Sequence, residues 1–448
     1  MYTNRTKKNK SEQGENVFSR VNQYAAGIDI SDKEHLVAVD AHRCEDNIRA
    51  YESDTRSLIN LVDWLKSCNI QTVAMESTGV YWIQLYRLIQ QSGMEVILVN
   101  PTTVKNISGR KTDESDAAWI QRLHSYGLLK GSFQPEENIR QLRSLERHRK
   151  SIILDMNRYI NRIQKCLEVM NIKVHIELSD IMGKTGQLML EAIIAGQRDP
   201  YELANLADPR IKKSKEELVK SLEGMWTDID VYLMEQNYGS YKHLCQQLKE
   251  IDVKIEKQLQ LILAQSNEGL IFEPKKLTRK PRKNDHTFNA KEYLQKLTGI
   301  DLTRIEGLRA TSILAIISET GTDMTRWHSD KHFISWLGLA PNNKISGGKL
   351  LKSKVKKTDN AAGAAFRMAA STLSNSNSEL GKYKKKMVAR GGKKMSVVAT
   401  ARKMATIFYT LMLNKEEYNP ERKKIDEARH KEAKIRRLEN QLASLKAS

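Results

Sequence analysis

Four carboxylates in the first quarter of the chain sit where an acid needs a reason. Asp29 lies in the middle of GIDIS, in an otherwise apolar run, and an uncompensated charge there costs several kcal/mol. Glu76 ends the apolar run TVAME, and Asp113 and Asp116 stand three apart in KTDESDAAW. On a helix that spacing turns both toward one spot. Four carboxylates drawn together repel one another unless a divalent cation sits among them, and hard oxygen donors at this density favour Mg²⁺. Such a cation polarises a phosphate and can activate an attacking group. Taken singly, Asp29 reads as a turn or capping residue and the DxxD pair as charge complementation at a helix start. Jointly, in this order, the four read as a metal site. Asp32 and Glu114 are nearby acids whose spacing takes them off the shared face.

The elements that must position these acids follow from periodicity. YAAGIDI (24–30), HLVAVDA (35–41) and NIRAYES (47–53) alternate or run apolar between short polar links, which predicts a three-stranded meander. TRSLINLVDWLKSCN repeats leucine and valine at helical spacing, and TVAMES (72–77) reads as a buried strand. A helix over about 81–92, a strand EVILVN closed by Pro101 and a helix through DESDAAWIQRLHSYGLL follow. The order β-β-β-α-β-α-β-α is that of an RNase H-like domain. In it strands one and four are neighbours and the last helix packs across their ends, so the acids are expected to converge.

Beyond Pro135 the composition changes. RQLRSLERHRKSIILDMNRYINRIQKCLEVM and YKHLCQQLKEIDVKIEKQLQLILAQ carry apolar residues every three or four positions, which predicts an antiparallel coiled-coil arm. Between them, a stretch broken by Gly, Pro200 and Pro209 reads as short helices. A segment dense in cations, with Lys275, Lys276, Arg279, Lys280, Arg282 and Lys283 beside Pro274 and Pro281, reads as a linker. The last unit mixes short helices with Gly-rich and Lys-rich loops.

Charge narrows the partner. Across 448 residues, 74 Lys and Arg stand against 54 Asp and Glu, a formal net charge of +20. That excess favours a polyanion over a neutral metabolite. The four cysteines are scattered without CxxC or Cys/His spacing, so neither a disulfide framework nor a zinc site is indicated. No apolar run approaches the ~18–20 residues of a membrane span, and a cytoplasmic protein is expected.

GIDIS, MESTGVYW, VNPTTVK and GRKTDESDA, followed by RIEGLRATSILAIISETG and FISWLGLAPNNKISGGKLLKS, resemble the DEDD insertion-sequence transposases of the IS-one-ten family, RNA-guided recombinases with a RuvC-like domain. The resemblance covers roughly residues 24–415. Where that family carries an IPGIG-like motif, this chain has Ile305-Glu306-Gly307-Leu308-Arg309. The resemblance implies a Mg²⁺ site at Asp29, Glu76, Asp113 and Asp116, and a catalytic serine at Ser346, a residue whose Ser-Gly-Gly context alone reads as an ordinary loop. A serine hydroxyl is a weak nucleophile at neutral pH, and no histidine lies beside Ser346 in the sequence. Lys344, Lys349, Lys352, Lys354, Lys356 and Lys357 flank it, and Lys384, Lys385, Lys386, Arg390, Lys393 and Lys394 follow around Gly391-Gly392. Charge runs are usually solvated surface; two of them bracketing a phosphodiester nucleophile read as clamps on a nucleic-acid backbone.

The expected architecture is therefore α/β plus α. It comprises a disordered basic tail (1–23), a RuvC-like DEDD domain (24–130), a coiled-coil arm with an insertion (135–265), a basic linker (266–289), a mostly helical transposase domain (290–415) and a charged C-terminal helix (416–448). By the resemblance, the expected function is transposition by cleavage and strand exchange through a 5′-phosphoserine intermediate. The implied partners are a bridge-type guide RNA, donor and target DNA, and further copies of the chain as a homodimer and dimer of dimers in a bacterial cytoplasm, near the nucleoid during activity. A metal-only RuvC-like junction nuclease would need the acids and no serine. A non-enzymatic RNA- or DNA-binding scaffold would need only the lysines.

Overall fold

The computed structural model describes residues 19–105, 107, 115–266, 272–355 and 360–419. Most of the expected basic tail, Asp113, Glu114, Lys356, Lys357 and the expected C-terminal helix from residue 420 onward lie outside the described residues. The chain divides into two compact units, Met1–Gln134 and Pro135–Ser448.

The first unit is a mixed α/β layer. Its elements are β1 (Ala25–Ile30), β2 (Glu34–Ala38), β3 (Ile48–Glu52), α1 (Thr55–Ser67), β4 (Thr72–Glu76), α2 (Trp82–Gln91), β5 (Glu95–Val99), α3 (Pro101–Lys105) and α4 (Asp116–Ser125). The strand order is β3-β2-β1-β4-β5, with β1 antiparallel to β2 and parallel to β4. Strands one and four are thus neighbours, as the sequence predicts. Pro101, expected only to close β5, also opens the short helix α3, since its fixed φ suits a first helical position. Cys44 and Cys68, which sequence separation had set apart, bring their sulfurs to 2.7 Å as free thiols. Burial, reinforced by this contact, pushes the Cys68 thiol up to about 11.

Both faces of the central strands are covered, because side chains alternate across a strand. Ala26, Ile28, Val73 and Met75 enter one cluster with Leu61 and Leu65 of α1 and Leu85 and Ile89 of α2. Ala74 enters the other with Trp119, Ile120 and Leu123 of α4. Gly27 shares that second face. A Cβ added there would lie 2.2 Å from the Gln121 nitrogen and 2.4 Å from the Ala117 carbonyl oxygen. Helix α4 therefore rests backbone to backbone on β1, and neither obstructing atom can rotate away. Gly27→Ala should destabilise the protein by ~1–3 kcal/mol and displace α4. A lowered thermal midpoint is the expected result; an unchanged midpoint would show that α4 moves off the sheet at no cost.

The second unit is largely helical. Its elements are α5 (Glu137–Val169), α6 (Val174–Glu177), α7 (Lys184–Ile194), α8 (Pro200–Asn205), α9 (Lys215–Leu222), α10 (Asp228–Ser266), α11 (Ala290–Thr298), α12 (Ala310–Thr320), α13 (Asp330–Trp336), β6 (Pro341–Ser346), β7 (Lys349–Val355), α14 (Ala361–Thr372) and α15 (Glu379–Asn414). Helices α5 and α10 run antiparallel: Asn138 lies beside Gln258, Arg149 beside Asp252 and Cys166 beside Asn237. Val231, Met234, Tyr238, Tyr241, Leu248, Ile255, Leu259 and Ile262 recur at spacings built from threes and fours, and all are buried. That is the repeat of a helix with one long apolar seam.

Charged residues interrupt the seam. Arg149 Nε donates to Asp252 Oδ1 at 2.6 Å, and the Arg149 guanidinium also donates to the carbonyls of Asn284 and Asp285. Asp252 Oδ2 accepts from the Thr287 amide at 2.9 Å, and His286 Nε2 lies 2.9 Å from Glu146 Oε1. A buried ion pair adds little net stability, but removing one partner strands the other. Its effect here is positional. The segment 284–287 is fixed on the helix pair, although the sequence predicts a linker there.

Candidate active site

Three of the four predicted acids are brought to one edge of the first unit. Register sets two of them. Gly27 pairs with Ala74 and Ile28 with Met75 in the parallel β1–β4 ladder, so Asp29 and Glu76 stand side by side one step further on. Paired residues of parallel strands point to the same face, and Gly27 and Ala74 both face α4. Asp29 and Glu76 therefore emerge on the α4 face, at the C-terminal ends of their strands. Both are half-buried.

Helix α4 supplies the third. Its C-terminal end is held by His124, whose Nε2 lies 2.9 Å from Thr72 Oγ1, and by Gln121, whose amide donates to the Ala25 carbonyl. With 121 and 124 beside the strand starts and 117 over Gly27, the helix runs against β1 and delivers its N-terminus to the acidic edge. Asp116 is the first residue of that helix. Burial lowers the His124 pKa to about 4, so this anchor stays neutral at physiological pH.

The expected face shared by Asp113 and Asp116 is not tested, because Asp113 lies outside the described residues; the helix that carries Asp116 begins at that residue. Ser115 is its cap, with extended backbone (ψ 152°) and a side chain that accepts from the Ala118 amide at 3.2 Å. Serine competes well for orphan amides at a helix start. Among the described residues, no three His, Cys, Asp or Glu side chains gather closely enough to hold a metal ion. The donors Asp29, Glu76 and Asp116 are all carboxylates, a set that fits a hard divalent cation.

Ser346 belongs to the second unit. It ends β6 and pairs with Lys349 of β7 across Gly347 and Gly348, whose φ values are 54° and 74°. Two consecutive left-handed residues make a type I′ turn, the tight hairpin turn that glycine permits. The segment expected to be an ordinary loop is thus a hairpin. Every residue of β6 is exposed, and among the described residues Ser346 has no hydrogen-bond partner that could act as a base. Across the ladder Lys344 pairs with Lys352 and Asn342 with Lys354, with a bulge between Lys344 and Ile345.

The second cation cluster divides. Lys385, Lys386, Arg390, Lys393 and Lys394 are exposed around a break in α15, where Gly391 and Gly392 leave helical geometry. Lys384 is not available to a ligand and is corrected: it is 4% exposed, and its ammonium donates to the carbonyls of Ala370 and Ser371 and to Ser374 Oγ at 2.7–2.9 Å. It closes the end of α14, where unpaired carbonyls favour a cation. The sequence signal was its position four residues after the buried Leu380.

A mixed sheet with acids at the C-terminal edge of its central strands, in a chain whose second unit is largely helical, fits a DEDD nuclease-like protein. A DEDD transposase family model matches residues 26–172, and a model described as transposase IS116/IS110/IS902 family matches residues 299–385. Together they cover just over half of the chain, which belongs to the IS110 family of DEDD insertion-sequence transposases. Comparison with curated proteins finds no match. Among the described residues no helix is long and apolar enough to cross a membrane.

Proposed function

We propose that this transposase cuts donor and target DNA by transesterification at Ser346 and exchanges strands under the direction of a structured guide RNA. The observation that carries the reading is the β1–β4 register, which sets Asp29 beside Glu76 on the face where α4 presents Asp116. With Asp113 these acids would hold a divalent cation, Mg²⁺ by their chemistry, which when bound supplies charge neutralisation at a scissile phosphate. Ser346 Oγ attacks phosphorus as the P–O3′ bond breaks, the serine proton passes through solvent to the departing 3′ oxygen, and a 5′-phosphoserine remains beside a free 3′ hydroxyl. The bond energy stays in the ester, so a second 3′ hydroxyl can displace the serine and rejoin DNA through a Holliday-like junction. Lys344 and Lys349 on the same hairpin neutralise charge that builds on the phosphate.

The exposed hairpin lysines Lys344, Lys349 and Lys354 and the exposed cations at the α15 break support a polyanionic partner. Contacts of this kind read backbone rather than sequence, and base pairing by a guide RNA supplies the missing specificity. The assembly proposed is a dimer of dimers, with the α5–α10 arm driving dimerisation, in a bacterial cytoplasm. Purified protein should co-elute with one structured RNA, and rewriting its loops should redirect insertion. RNase-treated protein that recombines its native sites at full rate would overturn the guide.

A further inference from the structure

The segment 275–282 does more than join two parts of the second unit. It lies over the starts of α11 and α12 and encloses a cleft of about 600 Å³, lined by Lys275, Lys276, Arg279, Lys280, Arg282 and Arg309. No residue of the β6–β7 hairpin lines it. Among the described residues, none of these six side chains forms an ion pair.

The acids of the cleft are already engaged. Glu292 Oε2 accepts the Lys275 amide at 2.7 Å, and Asp285 Oδ2 accepts the Arg282 amide at 3.2 Å. They hold the backbone of the basic segment and leave its cations uncompensated. Beyond Arg282, the carbonyls of Asn284 and Asp285 are gripped by the buried Arg149. A string of like charges in a free linker would spread apart in solvent. Here both ends are tied to the folded body, so the repulsion persists until an anion relieves it. The floor adds donors: Leu308, Arg309, Ala310 and Thr311 line the cleft at the start of α12, and no side chain caps that helix. Orphan amides at a helix start suit a phosphate oxygen. The aromatic rings in the lining, His286 and Phe288, are both buried and offer no face to a base.

We propose that this cleft binds the sugar–phosphate backbone of a single nucleic-acid strand, at a site separate from the Ser346 hairpin. The reading rests on the proposed function only for the class of ligand. Its donors suit the phosphates of a strand, and the missing aromatic platform makes it indifferent to base identity. DNA and RNA strands share this chemistry.

The test uses the full-length protein and labelled 20-nucleotide single strands of DNA and of RNA, titrated over a range of salt concentrations. Lys276→Ala/Arg279→Ala/Lys280→Ala should weaken binding roughly tenfold to a hundredfold and lower the salt slope by about 2, at ~0.7 per lost phosphate contact. Arg309→Ala alone should lower it by about 0.7. The hairpin variant Lys344→Ala/Lys349→Ala/Lys354→Ala should add to the triple variant independently, as distant sites do. Loss on either strand type supports the cleft and identifies its strand. If the triple variant and Arg309→Ala both match wild type in affinity and slope, the cleft is overturned while the proposed function stands. If wild-type protein binds neither strand, both fall.

Discussion

Ser346→Ala protein, incubated with labelled donor DNA, Mg²⁺ and guide RNA, will give no shifted band on a denaturing gel, where wild type gives one. Under the proposed mechanism the band is the covalent ester between Oγ and the 5′ phosphate. A nucleophile that is a side chain leaves such an adduct, whereas metal-activated water leaves free ends. The variant is unusually clean because of where the residue sits. Ser346 is exposed at the end of β6, and among the described residues it makes no hydrogen bond whose loss would disturb the fold. Its removal should change stability by no more than ~0.5 kcal/mol, so loss of the adduct reports chemistry. DNA and RNA binding should be unaffected. Ser346→Cys should trap an adduct slowly, since a thiolate attacks but is a different leaving group. A band that survives in Ser346→Ala moves the nucleophile elsewhere, with Ser353, paired with Asn343 in the same hairpin, the next candidate.

Asp29→Ala, Glu76→Ala and Asp116→Ala should each reduce cleavage by about three orders of magnitude or more, as should EDTA. For Asp29 and Glu76 the relief of repulsion between two adjacent carboxylates should offset part of the stability lost with each residue's own contacts. Asp116 differs. At the first position of α4 it complements the helix dipole, so its loss should also cost about 0.3–1 kcal/mol. A small drop in thermal midpoint with complete loss of cleavage separates the metal role from the capping role. Cleavage in EDTA, or an active Asp116→Ala, would remove the metal site and leave Asp116 as helix complementation alone.

The frame of the first unit was legible because its strands bury both faces and are therefore apolar in sequence, which makes Asp29 conspicuous. The pairing of Asp29 with Glu76 was not readable in the same way. It depends on a one-residue register between strands separated by α1 and fixed by packing on both sides. Gly27 was passed over, since nothing local announces that a helix 90 residues later will press its backbone there. The hairpin at Ser346 escaped for the opposite reason. Its Gly-Gly turn is a hairpin signal, but with every β6 residue exposed there is no apolar alternation to flank it. Lys384 was misread because a lysine among lysines looks solvated, while its depth is set by the end of α14. Glu146, Arg149 and Asp252 were likewise absorbed into a polar helix, though each occupies a seam position.

The turn at Gly347-Gly348 has a bearing on how this region can change over generations. Exposed segments ordinarily absorb insertions and deletions freely. A two-residue turn has no slack, and adding or removing one residue in either strand would rotate Ser346 to the opposite side of the ribbon. The hairpin should therefore keep its length, and the glycines of its turn, behaving toward indels as a buried strand does while remaining exposed to water.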